Sequence, residues 1–524
     1  LDNGAQRTQE NAMYDGNHLA HRLAAAGAPD KVFATQPARP DITYAALFEG
    51  AERIAGVLAG AGLAAGDRVA VQVEKSIEAL QLYLGTVMAG GVFLPLNTAY
   101  TGAEVDYFLT DATPRVVVCD PAREAEIAPL AGNARLFTLG ADGSGTLSQA
   151  AEAREPGFEA AARGADDLAA ILYTSGTTGR SKGAMLSHAN LSSNSEVLRD
   201  FWRFTPDDVL IHALPIFHTH GLFVATNVAL LSGCALHFLP KFDADAILDA
   251  MPGATALMGV PTFYTRLLDD PRLTRERAAS MRLFISGSAP LLAATHEAWE
   301  ARTGHRILER YGMTETNMNT SNPHDGERRA GTVGVPLPGV KLRIMDGDRE
   351  VAQGEIGVIE VRGPNVFQGY WQMPEKTAEE LRPDGWFITG DQGFIDADGY
   401  VTIVGRAKDM VISGGFNVYP KEVETEIDAI DGISESAVVG VPHPDLGEAV
   451  IAAVVRADAR LTADDIAAAL ENRLARFKQP KAIRFLPELP RNTMGKVQKA
   501  ALRADYADLF DRSDRGSTQP GRGK

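Results

Sequence analysis

The chain has 524 residues, 45% of them hydrophobic and 23% charged. This balance is ordinary for a globular protein, and the length exceeds what one simple core fills, so two or more domains are expected. The formal net charge of −17 argues against non-specific binding to nucleic acid or an anionic membrane, while leaving room for a local basic pocket around an anionic substrate.

No run reaches the length of a membrane span, and the polar start Leu1–Arg7 lacks a secretory pattern, so a cytoplasmic enzyme is expected. Cys119 and Cys234 lie in apolar runs and read as small buried hydrophobes, with no sign of a disulfide framework. Residues 1–17 read as an extension of variable length. Tyr44, Leu47, Ala51, Ile54 and Leu58 then recur at three- and four-residue steps and mark one helical face. Val69–Val73 follows as a strand. Ser76 caps a helix that turns Ile77, Leu80, Tyr83, Leu84 and Val87 inward. Gly90 and Gly91 end it, and Val92–Leu96 and Arg115–Cys119 are further strands. This alternation implies parallel sheets covered by helices, and it resumes at Val209–Ala213, Ala256–Gly259 and Arg282–Ile285.

Past about Gly354, runs such as Gly357–Val361 come with Gly and Pro turns and suggest an antiparallel β module. Near Arg406 a last unit begins, with strands at Met410–Ser413, Ala437–Val441 and Ile451–Val455 and helices at Glu422–Ala429 and Ala463–Arg476. The fold class is therefore α/β. A large domain over residues 18–405 combines helix-covered sheets with the β module, and a small α+β domain covers 406–506. Residues 511–524, rich in Arg, Ser, Gly and Pro, are expected to be a disordered tail.

Six clusters carry chemistry. The first is Thr174, Ser175, Gly176, Thr177, Thr178 and Gly179, closed by Arg180 and Lys182. Open backbone N–H groups, hydroxyls and cations together cradle a polyphosphate. It is not a Walker loop, because no Gly-Lys-Ser/Thr ends the run. A flexible linker is the alternative, but apolar Leu168–Tyr173 and Gly183–Leu186 read as strands that pin the loop at both ends. The second is Glu309–Glu315, where a carboxylate beside a phosphate site can hold Mg²⁺. The third is Trp386–Asp391, whose acid suits ribose hydroxyls. The fourth is Gly405–Asp409 with Gly414 and Gly415, paired glycines that permit close backbone approach to a ligand. The fifth is Pro490–Lys496, a lysine on a glycine-bearing loop that can meet an anion. The sixth is Leu214–Gly221, where His218 and His220 lack a third ligand at a familiar zinc spacing and read as pocket-lining. Taken singly, a surface turn, a β-turn aspartate or a solvated lysine explains several of these as well.

Together and in this order, the clusters resemble the adenylate-forming superfamily, which includes acyl-CoA synthetases, firefly-type luciferases and adenylation domains of peptide synthetases. The resemblance runs from about Pro29 to Tyr506. It is similar in more detail to bacterial malonyl-CoA synthetases through Leu96–Tyr100, His218–Gly221, Gly259–Tyr264, Ser286–Pro290 and Thr314–Asn319. The resemblance implies ATP-dependent ligation of malonate to coenzyme A through malonyl-AMP, with release of AMP and pyrophosphate and methylmalonate as a poorer second substrate. It implies ATP, Mg²⁺ and coenzyme A as ligands. Lys496 would bridge carboxylate and α-phosphate. Thr174, Ser175, Gly176, Thr177, Thr178, Gly179 and Lys182 would hold the β- and γ-phosphates. Thr314 would touch the α-phosphate, and Glu315 would place the metal. Asp391 and Arg406 would bind ribose. Ser288, Ala289, Pro290 and Tyr311, with Gly312 and Met313, would flank adenine.

In this family the small domain rotates between half-reactions. Lys408 matches the hinge, and Gly414 and Gly415 match the CoA channel. The acid pocket is expected to draw on His218, Thr219, Phe223, Val260, Ser286, Gly287, Met313 and Met318. His218 is expected to serve the reaction as well. A dicarboxylate wants a short pocket ending in a cation, and Arg266 is the residue chosen, with Arg282 and Lys241 as rivals. The context of Lys496 resembles sites of regulatory acetylation, which implies a lysine acetyltransferase and a deacetylase as partners. Alternatives are a synthetase for another short acid, an adenylation enzyme loading a carrier protein, or a non-catalytic scaffold. CoA-dependent AMP release and ATP–pyrophosphate exchange separate them.

Overall fold

The computed structural model describes residues 13–174, 181–413, 416–444, 446–471, 473–492 and 495–510. The described residues form two compact units, one reaching Leu342 and resuming over Glu360–Ile388, the other comprising Arg343–Ile359 and the described residues from Thr389 on.

The first unit holds two sheets. One has six strands in the order Arg135–Thr138, Val116–Cys119, Arg68–Gln72, Val92–Pro95, Leu168–Thr174, Lys182–Ser187. All its pairings are parallel except the last, which is antiparallel. Its inner strands Val116–Cys119 and Val92–Pro95 are buried at every position, as helix-covered parallel strands require. Val92, Leu94, Val117, Cys119 and Ile171 pack with Phe108 and Leu109 in one cluster. The other sheet has nine strands, with Leu308–Met313, Leu283–Ser286, Ala256–Gly259 and Val209–His212 at its centre.

The helix expected from the Tyr44 periodicity spans Tyr44–Gly60. Ser76 caps Ile77–Met88 by accepting from the Ala79 amide. Tyr14 and Asn17 are buried. Asn17 caps His18–Ala24 and donates to the Val87 carbonyl at 2.9 Å, so the packed body begins ahead of His18.

Most of the second unit's first sheet is built from Phe387–Ile395, which pairs antiparallel with Val401–Arg406, and from Lys341–Asp346, which pairs with Arg349–Glu350. Beyond them lies a sheet of Phe416–Val418, Val411–Ser413, Gly447–Arg456 and Ile433–His443, with Ala482–Phe485 added parallel to Gly447–Arg456. Helices Pro420–Asp428 and Ala463–Leu470 cover it. The second helix stops at Leu470 rather than Arg476. The Arg473 and Leu474 amides both fold back onto the Leu470 carbonyl, and this turn keeps Leu474 in the core. Cys119 and Cys234 are buried free thiols.

Candidate active site

The phosphate-type loop joins a β-hairpin. Thr174, on the strand entering it, pairs in register with Lys182 on the strand leaving it. Ser175, Gly176, Thr177, Thr178, Gly179 and Arg180 lie outside the described residues.

Lys182 sits on an edge strand that a second segment lines. Met185 donates to the Gly369 carbonyl at 3.0 Å and Trp371 donates to the Gly183 carbonyl at 2.7 Å, which brings Tyr370 against Lys182. The ammonium donates to the Tyr370 hydroxyl at 3.1 Å and to both Glu380 oxygens at 3.1 Å, and it lies 4.1 Å over the tyrosine ring. Burial, the Glu315 charge and the Glu380 hydrogen bond all push the Tyr370 phenol well up. Burial alone would raise the Glu380 carboxyl, but hydrogen bonds from Tyr370 and Lys376 and the Lys182 charge outweigh it and hold it low.

Glu315 follows the strand Leu308–Met313 at a turn closed by the Thr316 amide on the Met313 carbonyl. Its side chain is buried, and its Oε1 accepts from Tyr370 at 3.0 Å. Among the described residues no group of three or more acidic, His or Cys side chains converges as a metal cage. A single buried carboxylate suits Mg²⁺, which usually keeps several waters and is bound through one or two carboxylates. Thr314 lines a small cavity together with Pro95, Asn97, Tyr100, Leu172, Tyr173, Phe217 and His218. Tyr311 is buried on the preceding strand, opposite Thr320, and Gly312 and Met313 complete that strand half-exposed.

The acid-pocket candidates fall on adjoining strands and turns. Val260, Ser286, Gly287, Phe223 and Met318 are buried, Thr219 and His220 are buried, and His218 is half-buried. Ser288 has φ +72°, a left-handed strain that non-glycine residues accept where a site demands it. Its hydroxyl sits 3.3 Å from His220 Nδ1. Ala289 is half-exposed and Pro290 exposed.

Arg266 lies exposed in the last turn of helix Pro261–Leu268, its guanidinium 5.6 Å over the Phe242 ring. Lys241 is exposed. Arg282 is committed to structure, gripping both oxygens of Asp208 at 2.7 Å and the Trp202 and Arg203 carbonyls.

The sequence reading missed Arg310. It is 3% exposed, and its Nε and Nη2 have no hydrogen-bond partner among the described residues. Its guanidinium lies so close beneath Gly287 that a Cβ there would stand 2.5 Å from Cζ. Burial lowers the Arg310 pKa, yet an arginine keeps its proton through the neutral range. His220 feels that charge: burial first, then Arg310, holds its imidazole well below the ordinary value and therefore neutral. Ser286 Oγ, Thr219 Oγ1 and His220 Nε2 are likewise buried polar atoms without a hydrogen-bond partner among the described residues. Such atoms are costly unless a ligand completes them. The signal available in the sequence was a lone arginine inside an otherwise buried strand.

In the second unit Asp391 and Arg406 face each other across a strand pair, and Arg406 Nε meets Asp391 Oδ1 at 2.7 Å. Lys408 lies in the turn Ala407–Asp409, where burial and then the Arg406 charge lower its pKa. Asp409 anchors that turn by an ion pair of 2.6 Å with Arg503. Lys496 is exposed, on a reverse turn in which its amide donates to Asn492 Oδ1 at 3.0 Å. Gly414 and Gly415 lie outside the described residues.

Known proteins resemble this chain over most of its length. The family model described as AMP-binding enzyme matches residues 22–371, and the AMP-binding enzyme C-terminal domain matches residues 422–496. ATP-bound MatB from Rhodopseudomonas palustris superposes with a TM-score of 0.93 at 61% identity, covering 94% of this chain and 99% of that one. A malonate–CoA ligase from Arabidopsis thaliana is 35% identical over 480 residues, 85% of this chain and 79% of its own. A sulfoacetate–CoA ligase from Cupriavidus necator is 36% identical over 491 residues, 92% and 96%. The chain belongs to the AMP-binding enzyme family: it is an AMP-forming acid–CoA ligase that works through an acyl-adenylate.

Proposed function

We propose that the acid is malonate. The observation that carries this is the buried Arg310 guanidinium, whose Nε and Nη2 have no hydrogen-bond partner among the described residues, packed against Gly287 of the acid pocket. A monocarboxylate or a fatty chain gives nothing to such a cation, whereas the distal carboxylate of a short diacid pairs with it by a two-pronged hydrogen bond. Arg266 is the second cation, and the likeness to the Arabidopsis malonate–CoA ligase and to MatB supports the same reading. Methylmalonate adds one methyl, which a small pocket rejects only by about tenfold.

The first half-reaction brings an anion to a polyanion, so positive charge must stand where negative charge gathers. In this proposal Lys496 supplies it at the α-phosphate and reacting carboxylate, and Lys182 with Thr174 and the loop from Ser175 to Gly179 supplies it at the outer phosphates. Thr314 donates to the α-phosphate. Ser288, Ala289, Pro290, Tyr311, Gly312 and Met313 hold adenine, and Asp391 and Arg406 hold ribose. His218, Thr219, Val260, Ser286 and Met318 shape the acid pocket. Lys408 is the hinge, and Gly414 and Gly415 serve the CoA channel. Mg²⁺ on Glu315 would neutralise phosphate charge. The enzyme is placed in the cytoplasm, and the exposed Lys496 is accessible to an acetyltransferase. Mass spectrometry of the purified protein before and after deacetylase treatment, with activity, tests that point.

The test of the substrate is AMP release, strictly dependent on CoA, across malonate, methylmalonate, succinate, acetate and octanoate. Malonate should lead. A higher kcat/KM for acetate or octanoate sinks the proposal.

A further inference from the structure

We propose that Asn194 is a positioning residue: its side-chain amide takes the place of a strand neighbour at Met318, and so sets the acid-pocket end of the hairpin whose tip carries Glu315. The inference rests on the reading that Met318 lines the acid pocket and Glu315 serves MgATP.

The hairpin is built by Leu308–Met313 and Asn317–Ser321. It closes at the Met313–Asn317 pair, which leaves Thr314, Glu315 and Thr316 at its tip. Asn317 has φ +49°, the left-handed geometry that ends a three-residue hairpin loop and that asparagine tolerates. Along the outer edge, Val335–Pro336 pairs with Thr320 and Ser321. At Met318 the neighbour is a side chain. Asn194 Nδ2 donates to the Met318 carbonyl at 2.8 Å, and the Met318 amide donates to Asn194 Oδ1 at 3.1 Å. An asparagine amide carries the donor and the acceptor of a peptide group, and here one of each is used. The backbone partners fix which way the amide points, because a carbonyl only accepts and an N–H only donates. Asn194 and Met318 are both buried, so losing either bond would leave a desolvated polar group behind.

One helix sets both ends of the tip. Asn194 lies on His188–Phe201. One turn earlier, Asn190 donates to the Pro364 and Val366 carbonyls at 2.7 and 2.9 Å. That segment carries Asn365, whose Nδ2 donates to the Thr316 carbonyl at 2.6 Å, and leads to Phe367, whose amide donates to the Glu315 carbonyl at 2.8 Å. The helix therefore holds Met318 directly and Glu315 through a second segment. The Met318 side chain lies over Gly312, where a Cβ would stand 2.7 Å from Met318 Cε. A shift of the Met318 backbone is thus passed to the pocket wall, while Phe367 keeps its hold on Glu315.

Steady-state kinetics with the acid that the wild type uses best read this as a split between two constants. Asn194→Leu keeps the bulk and removes both bonds. Its KM for the acid should rise about tenfold, with the KM for ATP within about twofold. An asparagine that only supports the fold would lower the thermal midpoint without separating the two constants. Equal changes in both, or no change in the acid KM, overturn the proposal. If Asn194→Leu does not fold, Asn194→Gln keeps both amide groups one methylene farther out and should raise the acid KM about threefold; no rise there overturns it equally. Met318→Ala is the control, and an unchanged acid KM in that variant would instead overturn the underlying reading of Met318.

Discussion

At the scale of single residues, two cations have opposite settings and so opposite tasks. Lys496 is exposed on a turn, and a lysine ammonium can meet an anion as a point charge. Lys496→Ala should lower adenylate formation by at least about 100-fold, the usual consequence of losing a transition-state charge. Thioester formation from supplied malonyl-AMP should stay within about twofold. Measuring the two half-reactions separately checks this, and equal losses would refute the division of labour.

Arg310 is the reverse case, a buried cation whose guanidinium lacks partners at two nitrogens among the described residues. Arg310→Met removes the charge and keeps the bulk. The KM for malonate should rise by about 100-fold, as expected for a lost charged hydrogen-bond pair, with little change in the KM for ATP. Arg266→Ala is expected to act in the same direction and more weakly, because its side chain is exposed. Comparing both variants on malonate and acetate identifies which cation the distal carboxylate meets.

At the scale of elements, the pocket depends on a wound segment that sequence patterns describe poorly. His220–Thr226 forms a π-helical turn, a form that recurs at functional sites. Its Gly221 carbonyl is held from two sides, accepting from Thr226 Oγ1 at 3.0 Å and from His212 Nε2 at 2.9 Å. The tautomer of His212 follows from its other nitrogen. The buried Lys75 donates to His212 Nδ1 at 3.0 Å and to the His212 carbonyl at 2.8 Å, so the imidazole proton is on Nε2. Burial pushes the Lys75 ammonium well below its usual value.

Gly221 is required at the start of this turn, since a Cβ would stand 2.0 Å from the Pro215 carbonyl oxygen. Gly221→Ala should lower the thermal midpoint by about 5 °C, as a strained core backbone does, and raise the malonate KM more than the ATP KM. A variant with wild-type stability and malonate KM would show that this turn does not shape the pocket. The sequence disclosed the His218–Gly221 element but not this scaffold. Lys75 and His212 stand 137 positions apart, and nothing local to either announces the other.

At the scale of the whole molecule, the second unit carries its own pH response. Helix Pro420–Asp428 packs on the sheet, and Ser436 donates to Asp428 Oδ1 at 2.7 Å. Burial pushes the Asp428 carboxyl up to about 6. An unfolded aspartate titrates near about 3.9, so the folded chain binds the extra proton, and this contribution to stability is complete below the unfolded value and lost as pH rises through 6. Asp428→Asn mimics the protonated form. It should raise the unfolding midpoint of this unit by about 2–4 °C at pH 8 and leave it nearly unchanged at pH 4. Calorimetric scans at the two pH values decide, and an equal shift at both would remove Asp428 as the cause.

The sequence by itself determined the alternating strands and helices, the two strands that flank the glycine- and hydroxyl-rich loop, and the identity of motif residues such as Glu315, Asp391 and Lys496. Apolar periodicity, glycine placement and motif spacing are local properties, and they survive being read one segment at a time. Only the tertiary structure decided which charges pair. It committed Arg282 to Asp208, set Arg266 at the surface, buried Arg310 beneath Gly287, and drew Tyr370 and Glu380 to Lys182 across 188 and 198 positions of chain. Electrostatic energies depend on distance through space and on the water excluded around each group, and neither quantity is written along the chain.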